Sequence, residues 1–519
     1  MISGVEFMTI LRFLSRALVG AAILSSAGIA AAQHDVAVGG GSTKDAAVGE
    51  STSRAPVTRR APARTTSTTP RRTRTPAPVR RGTTAEQYNQ QGDSLFEAKQ
   101  YDDALDVYQK AVQLKPIASA YYHIGWIYND RDDYDQAITA LQQAVRYNAN
   151  DSAAFYELGY AYRNLKRYDE ALTAYRRSIS IKPDRATAHY EIGWIYNEQG
   201  QYSEALQPLK QAASLRDSYP EAYEELGYAY YKLNQSQEAI NAYQQAIRVK
   251  PDYGLAYLGL GDVYFYQTKQ YPQAAEAYRQ GTRLKPDNAT AFYNLAWSDN
   301  ELNQFGEAAR AARQAIALKS NYPEAYNELG YANRKLAEAQ PKNSAEATRL
   351  YNEAIANYRE ALRLKPGYGM AFVGLGDAYY DGFNNCQQAI LPYEQAVRFS
   401  PKNVRVHYRL GWCYNEMSRY QEAATHLAEA TRLKPEAYDA HTELGYAYYK
   451  LSRLPMAGEE LRTAIRLKND YALSHYYLGL VFIQQGNKTG VQNQYAVLRR
   501  LDPKKAQQLY DAAPANMRN

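Results

Sequence analysis

Residues 152–185 read SAAFYELGYAYRNLKRYDEALTAYRRSISIKPDR, and residues 186–219 read ATAHYEIGWIYNEQGQYSEALQPLKQAASLRDSY. The two stretches align without a gap. Both carry an aliphatic residue followed by glycine, at Gly159 and Gly193, and an alanine twelve positions later, at Ala171 and Ala205. Because the unit is short and is copied in tandem, the sequence predicts a stack of equal helical units and not several separate globular domains.

The same glycine recurs along most of the chain. Its positions are Gly92, Gly125, Gly159, Gly193, Gly227, Gly261, then Ala296 in place of glycine, then Gly330, Gly376, Gly411, Gly445 and Gly479. The spacing stays at 33 to 35 residues except between Gly330 and Gly376, where it is 46. We therefore predict twelve repeats over residues 85–503. Copying of one unit also accounts for 50 Tyr against 11 Phe.

Each unit has the pattern of two helices that cross at a small residue. Glycine lets the two backbones approach, the later alanine does the same on the second helix, and a closing Lys-Pro, as at Lys182-Pro183, stops that helix. The unit resembles the tetratricopeptide repeat. The resemblance implies an all-α fold, a right-handed superhelical solenoid of about twelve helix-turn-helix repeats. Residues 504–519 are expected to form a polar capping helix and a tail.

A longer period lies on top of the repeat. From Trp194 onwards, the residue after each glycine runs Trp-Tyr-Asp, Trp-Tyr-Asp, Trp-Tyr-Leu, so a block of three repeats is the duplicated unit. On the first helix, positions three before, one after and four after the glycine share one face. In the tetratricopeptide family this face lines a concave groove. All four Trp of the chain fall on it.

These positions supply the candidate binding residues. Each Trp has a Tyr four residues before it and an Asn three residues after it, which gives the set Tyr122, Trp126, Asn129, Tyr190, Trp194, Asn197, Tyr293, Trp297, Asn300, Tyr408, Trp412 and Asn415. Rigid rings offer contact area, and Asn can hydrogen-bond an extended peptide. The alternative is that the aromatic rings fill the space between adjacent helices, and the sequence leaves both interpretations open.

The predicted function is a protein–protein interaction scaffold that binds segments of partner proteins in the groove, in cell-envelope assembly. A glycan-binding envelope protein that stacks sugars on the Trp and Tyr rings is the alternative. We find no catalytic set and predict no enzyme, no cofactor and no metal site. His407, His441 and His475 stand in the same slot of successive repeats, without ligand partners at metal-binding spacing.

The first 32 residues resemble a secretory signal. Arg12 and Arg16 precede an apolar run from Ala17 to Ala32 that ends in small residues before Gln33. We therefore expect an exported protein, periplasmic or extracellular. An uncleaved inner-membrane anchor is the alternative, although the run is shorter than the ~20 residues that a spanning helix needs.

Residues 33–84 are rich in Ala, Thr, Ser, Pro and Arg, and we expect them to be a disordered basic linker. The part from residue 51 to residue 84 contains nine Arg and no acidic residue. We therefore consider two roles for it, contact with a polyanion and a soluble spacer.

The middle of the array departs from the pattern. Ala296 replaces the glycine, Asp299 and Asn333 occupy a slot that elsewhere holds an aromatic residue, and twelve extra residues lie around 337–348. These departures predict a weak joint. Cys386 and Cys413 are the two cysteines of the chain, and the sequence decides neither whether they form a disulfide nor the oligomeric state.

Overall fold

The computed structural model describes residues 83–518. This part of the chain is all-α and consists of twelve antiparallel helix pairs followed by two short helices, as the repeat pattern predicts. The predicted signal at 1–32 and most of the predicted linker at 33–84 lie outside the described residues. Repeat n consists of α(2n−1), called helix A, and α(2n), called helix B.

The helices of repeats 1–6 have the following bounds: α1 Ala85–Glu97, α2 Tyr101–Leu114, α3 Ala118–Asp130, α4 Tyr134–Tyr147, α5 Ser152–Asn164, α6 Tyr168–Ile181, α7 Ala186–Glu198, α8 Tyr202–Leu215, α9 Pro220–Lys232, α10 Ser236–Val249, α11 Gly254–Asp262 with a π-helical extension Val263–Thr268, and α12 Tyr271–Leu284. The bounds for repeats 7–12 and the cap are α13 Ala289–Glu301, α14 Phe305–Leu318, α15 Pro323–Glu338, α16 Ala345–Leu364, α17 Gly369–Phe383, α18 Cys386–Phe399, α19 Val404–Glu416, α20 Tyr420–Leu433, α21 Tyr438–Lys450, α22 Leu454–Leu467, α23 Ala472–Gln484, α24 Lys488–Leu501, α25 Pro503–Ala512 and α26 Ala515–Arg518.

The recurring glycine is required by contact with a large side chain of helix B. A Cβ atom built on Gly159 would lie 2.8 Å from the ring of Tyr175, and one on Gly193 would lie 2.5 Å from Leu209. Tyr175 and Leu209 are fully buried. The glycine thus lets helix A pack directly onto the bulky residue of its own repeat.

Repeat 7 keeps the fit by changing both partners. Ala296 stands in place of the glycine, and Ala312 stands where helix B elsewhere carries Tyr or Leu. Both alanines are fully buried. A small residue facing another small residue preserves the close approach of the two helices, so the loss of glycine does not by itself weaken this repeat.

The twelve extra residues of repeat 8 are mostly helical. They lengthen α15 to 16 residues and α16 to 20 residues, and Ser344 caps α16 by accepting a hydrogen bond from the backbone of Ala347. Leu350 on the added turns is buried, and the ring of the buried Tyr351, which corresponds to Tyr168 at the start of helix B in repeat 3, lies against Gly382 of the next repeat. The extra residues therefore pack into the array, and the weak joint stays a prediction.

The polar residues in the aromatic slot are also compensated. Asp299 is 1 % exposed and pairs with Arg279 of the preceding helix B, with 2.5 Å between Nη2 and Oδ1. Asn333 donates to Glu353 at 3.3 Å. Burial nevertheless raises the pKa of Asp299 to about 6, although Arg279 opposes the shift.

Single extra residues explain the 35-residue spacings in repeats 6 and 9. In repeat 6 the residue is accommodated by the π-helical segment Val263–Thr268. In repeat 9 helix A runs for 15 residues and ends at Asn384 in the left-handed region. At the far end of the array, Leu509 of α25 fills the space beside Gly479. No helix of residues 83–518 is long and apolar enough to cross a membrane.

Candidate functional site: the groove face of the A helices

We define the groove face by position relative to the repeat glycine on helix A: six, three and two residues before it, and one, four and five after it. At ~100° per residue these positions span an arc of about 120°. The glycine itself faces helix B, outside that arc. All twelve candidate residues from the sequence lie on this face.

Trp194 lies in the seam between repeats 3 and 4. Its side chain is 8 % exposed, its ring meets Tyr168 at a centroid distance of 6.5 Å, and the Arg163 guanidinium lies 5.0 Å from its ring centre. For this residue the structure favours the space-filling interpretation over a ring that is free in the groove.

The rings of Trp126, Trp297 and Trp412 are half-buried and also contact the preceding repeat. Each packs edge-on against the residue four after the glycine in the preceding repeat. The pairs are Trp126 with Phe96 at 4.9 Å, Trp297 with Phe265 at 5.3 Å, and Trp412 with Tyr380 at 5.0 Å. One edge of each ring therefore supports the seam while part of it remains accessible.

The four candidate tyrosines also divide by burial. Tyr190 and Tyr293 are buried and pack on Tyr219 and Tyr322, with ring centres 5.1 and 5.2 Å apart. Tyr122 and Tyr408 are half-buried. The accessible aromatic surface of the predicted set is thus concentrated in repeats 2, 7 and 10.

The four asparagines connect adjacent repeats. Asn197 is 3 % exposed, and its Nδ2 donates to the backbone carbonyl of Glu225 at 3.0 Å and to its carboxylate at 2.8 Å. The other three make the same pair of bonds: Asn129 to Glu157, Asn300 to Glu328, and Asn415 to Glu443. The predicted peptide-binding role of these amides is therefore corrected: each donates to the next helix A. We call each pair an Asn–Glu clamp.

Each clamp buries a carboxyl group, and at two of them the pKa departs far from its ordinary value. Burial raises the pKa of Glu328 to about 7, although hydrogen bonds from Asn300 and Asn327 oppose the shift. Burial likewise raises the pKa of Glu443 to about 7 against the bond from Asn415. These two carboxyl groups titrate near neutral pH within the array.

The third repeat of each of the first two copied blocks places an aspartate after the glycine. In repeat 6, Asp262 accepts a hydrogen bond from the hydroxyl of Tyr278 at 2.7 Å, and Asn294 of repeat 7 donates to the same hydroxyl at 3.1 Å. Tyr266 donates to Asn294 at 3.1 Å. Tyrosine and asparagine groups thus take part in this junction.

In repeat 9, the corresponding Asp377 accepts from Tyr393 at 2.9 Å, and three guanidinium groups lie nearby. Arg405 lies 2.8 Å from Asp377, measured from Nη1 to Oδ2. Arg334, whose side chain is 6 % exposed, bonds to Glu338 and lies 3.3 Å from Asp381 and 3.9 Å from Asp377. Arg409 lies 3.2 Å from Asp381. This network spans repeats 8, 9 and 10.

A disulfide joins two of the same repeats. Cys386, the first residue of α18, is bonded to Cys413 of α19, with the Cα atoms 5.0 Å apart. Both cysteines are buried. The bond therefore links helix B of repeat 9 to helix A of repeat 10, a question that the sequence left open.

The repeated histidines have structural roles. His441 contacts the carbonyl oxygen of Pro435 at 3.0 Å through Nε2 and the Glu460 carboxylate at 2.5 Å through Nδ1. His407 and His475 contact the equivalent carbonyls of Pro401 and Asn469. Within residues 83–518, no group of three His, Cys, Asp or Glu is placed to hold a metal ion.

The clamp glutamates were not among the sequence candidates. A signal for them was present, because Glu occurs two residues before the glycine in each Tyr repeat that follows a Trp repeat, at Glu157, Glu225, Glu328 and Glu443. That position lies at the edge of the groove face. The role of the glutamate there becomes clear only when adjacent A helices are known to touch.

Solved structures of several repeat proteins align with the chain. MamA from Desulfovibrio magneticus RS-1 is 26% identical over 33% of this chain and 95% of its own, with a TM-score of 0.31. The C-terminal part of a TPR repeat-containing protein from Cytophaga hutchinsonii is 20% identical over 46% of this chain and 98% of its own, with a TM-score of 0.40. The Cut9–Hcn1 structure aligns over 82% of this chain at 15% identity, with a TM-score of 0.35.

No curated protein sequence is similar enough to match. Family models described as tetratricopeptide repeat or TPR repeat match residues 85–117, 125–166, 151–218, 224–289, 264–323, 343–404 and 408–472. These matches cover more than half of the chain and fall on the helix pairs described above. The chain therefore belongs to the tetratricopeptide repeat family, whose members are generally scaffolds for protein–protein interaction and not enzymes.

Proposed function

We propose that this chain is a non-enzymatic scaffold that binds extended or helical segments of partner proteins along its groove face, in assembly of the cell envelope. The family supports the general role. The specific assignment rests on one observation, the half-buried rings of Tyr122, Trp126, Trp297, Tyr408 and Trp412 at equivalent positions of repeats 2, 7 and 10. Half-buried aromatic rings held by their neighbours are typical of binding hot spots.

The spacing of these rings suits a long ligand. They are distributed from repeat 2 to repeat 10, so a single small molecule would meet only one group of them. An extended segment that touches several groups would gain affinity because each further contact is intramolecular. The envelope location rests on the predicted signal at residues 1–32, which lies outside the described residues.

A selection experiment tests the binding surface. Peptides that bind the full chain are selected from a displayed random library, and their affinities are measured for a Tyr122→Ala/Tyr408→Ala variant. We expect a tenfold or larger loss, the scale of a hot spot. Tyr147→Ala is the matched control, because Tyr147 is 48% exposed at the end of helix B of repeat 2, and it should change affinity less than twofold.

Two outcomes would contradict the proposal. Equal loss in the groove variant and in the control would show that the peptides bind elsewhere. Saccharides that bind the wild-type chain and displace the peptides from these rings would favour the glycan alternative. For export, N-terminal sequencing of the native protein should begin near Gln33, and a mature chain that starts at residue 1 or 8 would contradict it.

A further inference from the structure

The groove face differs in charge between the two copies of the three-repeat block. In repeats 4–6 it carries six acidic residues, Glu191, Glu198, Glu221, Glu224, Glu225 and Asp262, and one basic residue, Lys232. Their formal sum is 1 − 6 = −5. In repeats 7–9 the same positions carry five acidic residues and two basic residues, a sum of 2 − 5 = −3. Arg163 of repeat 3 pairs with Glu191, with 3.3 Å between Nη1 and Oε2, which changes the first sum to −5 + 1 = −4, and the first copy is still the more acidic.

The next repeat widens this difference. In the second copy, repeat 10 adds Arg405 and Arg409, whose guanidinium groups reach Asp377 and Asp381. At the equivalent positions of the first copy, repeat 7 has the neutral residues Thr290 and Asn294. The second copy thus shows which chemistry this surface accepts: guanidinium groups that lie across the groove face and pair with its carboxylates.

The chain itself contains a segment with that chemistry. Residues 51–82 hold nine Arg and no acidic residue, and they directly precede α1. Extended at ~3.1 Å per residue, these 32 residues reach roughly 100 Å. Neighbouring A helices lie about 10 Å apart in helix packing, so repeat 6 is roughly 50 Å from repeat 1. The segment is long enough to follow the groove to repeat 6.

We propose that the Arg-rich segment at residues 51–82 binds the acidic groove face of repeats 4–6 of its own chain and occludes the surface that a partner would use. The inference rests on the proposed function of the groove. Arginine side chains pair with the carboxylates of repeats 4–6 as Arg405 pairs with Asp377 in the second copy. The polyanion that the basic segment contacts is then the array itself.

A peptide added in trans tests this proposal. The probe is a fluorescent synthetic peptide of residues 51–82, and the receptor is the full chain with the nine Arg of that segment changed to Gln. We expect binding that weakens with added salt, since the contacts are electrostatic. We also expect at least tenfold weaker binding to the wild-type chain, whose own segment occupies the groove. A peptide with Gln in place of every Arg should not bind.

A matched pair of variants locates the site. Glu198→Gln/Glu221→Gln in the receptor should weaken peptide binding at least tenfold, whereas Glu301→Gln/Glu324→Gln, at the same positions of the second copy, should change it less than twofold. Far-ultraviolet circular dichroism should show the same helix content for both receptors, which excludes unfolding as the cause.

Three outcomes would overturn the proposal. The first is equal binding of the peptide to the wild-type chain and to the receptor. The second is equal binding of the peptide to the two paired variants. The third is a photo-crosslink from residue 68 that joins a heavy to a light chain in a mixture of isotopically heavy and light full chains. The last result would assign the groove to the segment of a second copy. None of these outcomes involves a partner protein, so failure here is distinct from failure of the peptide-selection experiment.

Discussion

The junction around Asp262 and the junction around Asp377 occupy the same place in two copies of one block, yet they are stabilised by different chemistry. Around Asp262, the contacts include tyrosine hydroxyls and an asparagine amide. Around Asp377, two aspartates and three arginines form an ionic network across three repeats. Equivalent backbone positions therefore do not determine which contacts hold adjacent repeats together. The groove-face side chains at each junction determine those contacts.

The largest expected effect comes from removing the central cation of the second copy. Arg334→Gln would leave the carboxylates of Glu338, Asp377 and Asp381 without their buried partner, and we expect a loss of about 3–5 kcal/mol in local stability. Native-state hydrogen exchange of α15–α19 measures it, because repeat arrays open in parts. Tyr231→Gln, at the same position of the first copy, should cost about 1 kcal/mol. Equal losses would show that the two junctions do not differ in the way described.

The next effect compares Trp residues of the two copies. Trp194→Ala removes a ring that is 8 % exposed, and we expect a loss of about 3–5 kcal/mol. Trp297→Ala removes a half-buried ring, so the loss should be about half as large. Denaturant unfolding of each variant gives the comparison. A small effect for Trp194→Ala would restore the view that its ring is free in the groove.

The disulfide joins the last repeat of the second copy to the repeat that follows it, and the junction after the first copy has no counterpart. Reduction of Cys386–Cys413, or Cys386→Ala with Cys413→Ala, should lower the stability of repeats 9 and 10 by about 2–4 kcal/mol, since the bond closes a 27-residue separation. The junction between repeats 6 and 7 has Tyr271 and Ser298 at these positions, and its hydrogen exchange should not change on reduction. Faster exchange in both copies would show that the effect is not local.

A smaller effect depends on pH. The folded pKa of Glu328 is about 7, above its unfolded value of ~4.5, so its contribution to stability is fully present below pH ~4.5 and is lost as pH rises through 7. Between pH 5.5 and 8 we expect a loss of about 2 kcal/mol from this group. Glu328→Gln should remove that part of the pH dependence, with Glu225→Gln as the corresponding variant of the first copy. A pH profile unchanged by Glu328→Gln would contradict the assignment.

The smallest expected effect tests the surface arginine. Arg405→Thr gives the second copy the residue that the first copy has at Thr290, and because Arg405 is 45% exposed we expect a loss below about 1 kcal/mol. The reciprocal change, Thr290→Arg, supplies a cation beside Asp262 and should weaken binding of the Arg-rich peptide to the first copy. Thermal melts measure the first change, and fluorescence anisotropy of the peptide measures the second.

The fold was predictable from the sequence because the recurring glycine marks one kind of contact, that of helix A with a large side chain of helix B. Only glycine fits against Tyr175 or Leu209, so its recurrence marked eleven of the twelve repeats. The sequence located the insertion of repeat 8 but did not show that most of it extends the two helices. The cap at Ser344 and the buried Leu350 show that helix B begins earlier in this repeat.

The candidate site was predictable only in part. The positions of the Trp rings on helix A followed from helical geometry, but their burial depends on the preceding repeat. Arg163 covers the buried Trp194, whereas Phe96 and Tyr380 pack against Trp126 and Trp412, which are half-buried. The asparagines lie four residues after the glycine, at the margin between the groove and the seam. Its direction on helix A does not show whether such a side chain faces the groove or the adjacent helix. Its partner Glu lies 28 residues away in the sequence, so the local pattern does not reveal the contact.

The Asn–Glu clamps restrict how the length of this array can change. Every clamp joins a Trp repeat to the Tyr repeat that follows it. Recombination that deletes repeats 4–6 would bring repeat 3 against repeat 7, a Tyr repeat followed by a Trp repeat, as already occurs between repeats 3 and 4. Deleting repeat 7 alone would leave the buried Glu328 facing repeat 6, which has Phe265 in the asparagine position. Loss of one member of a clamped Trp–Tyr pair should therefore be removed by selection, whereas loss of a whole block, or of repeat 6, which takes part in no clamp, leaves every remaining clamp intact.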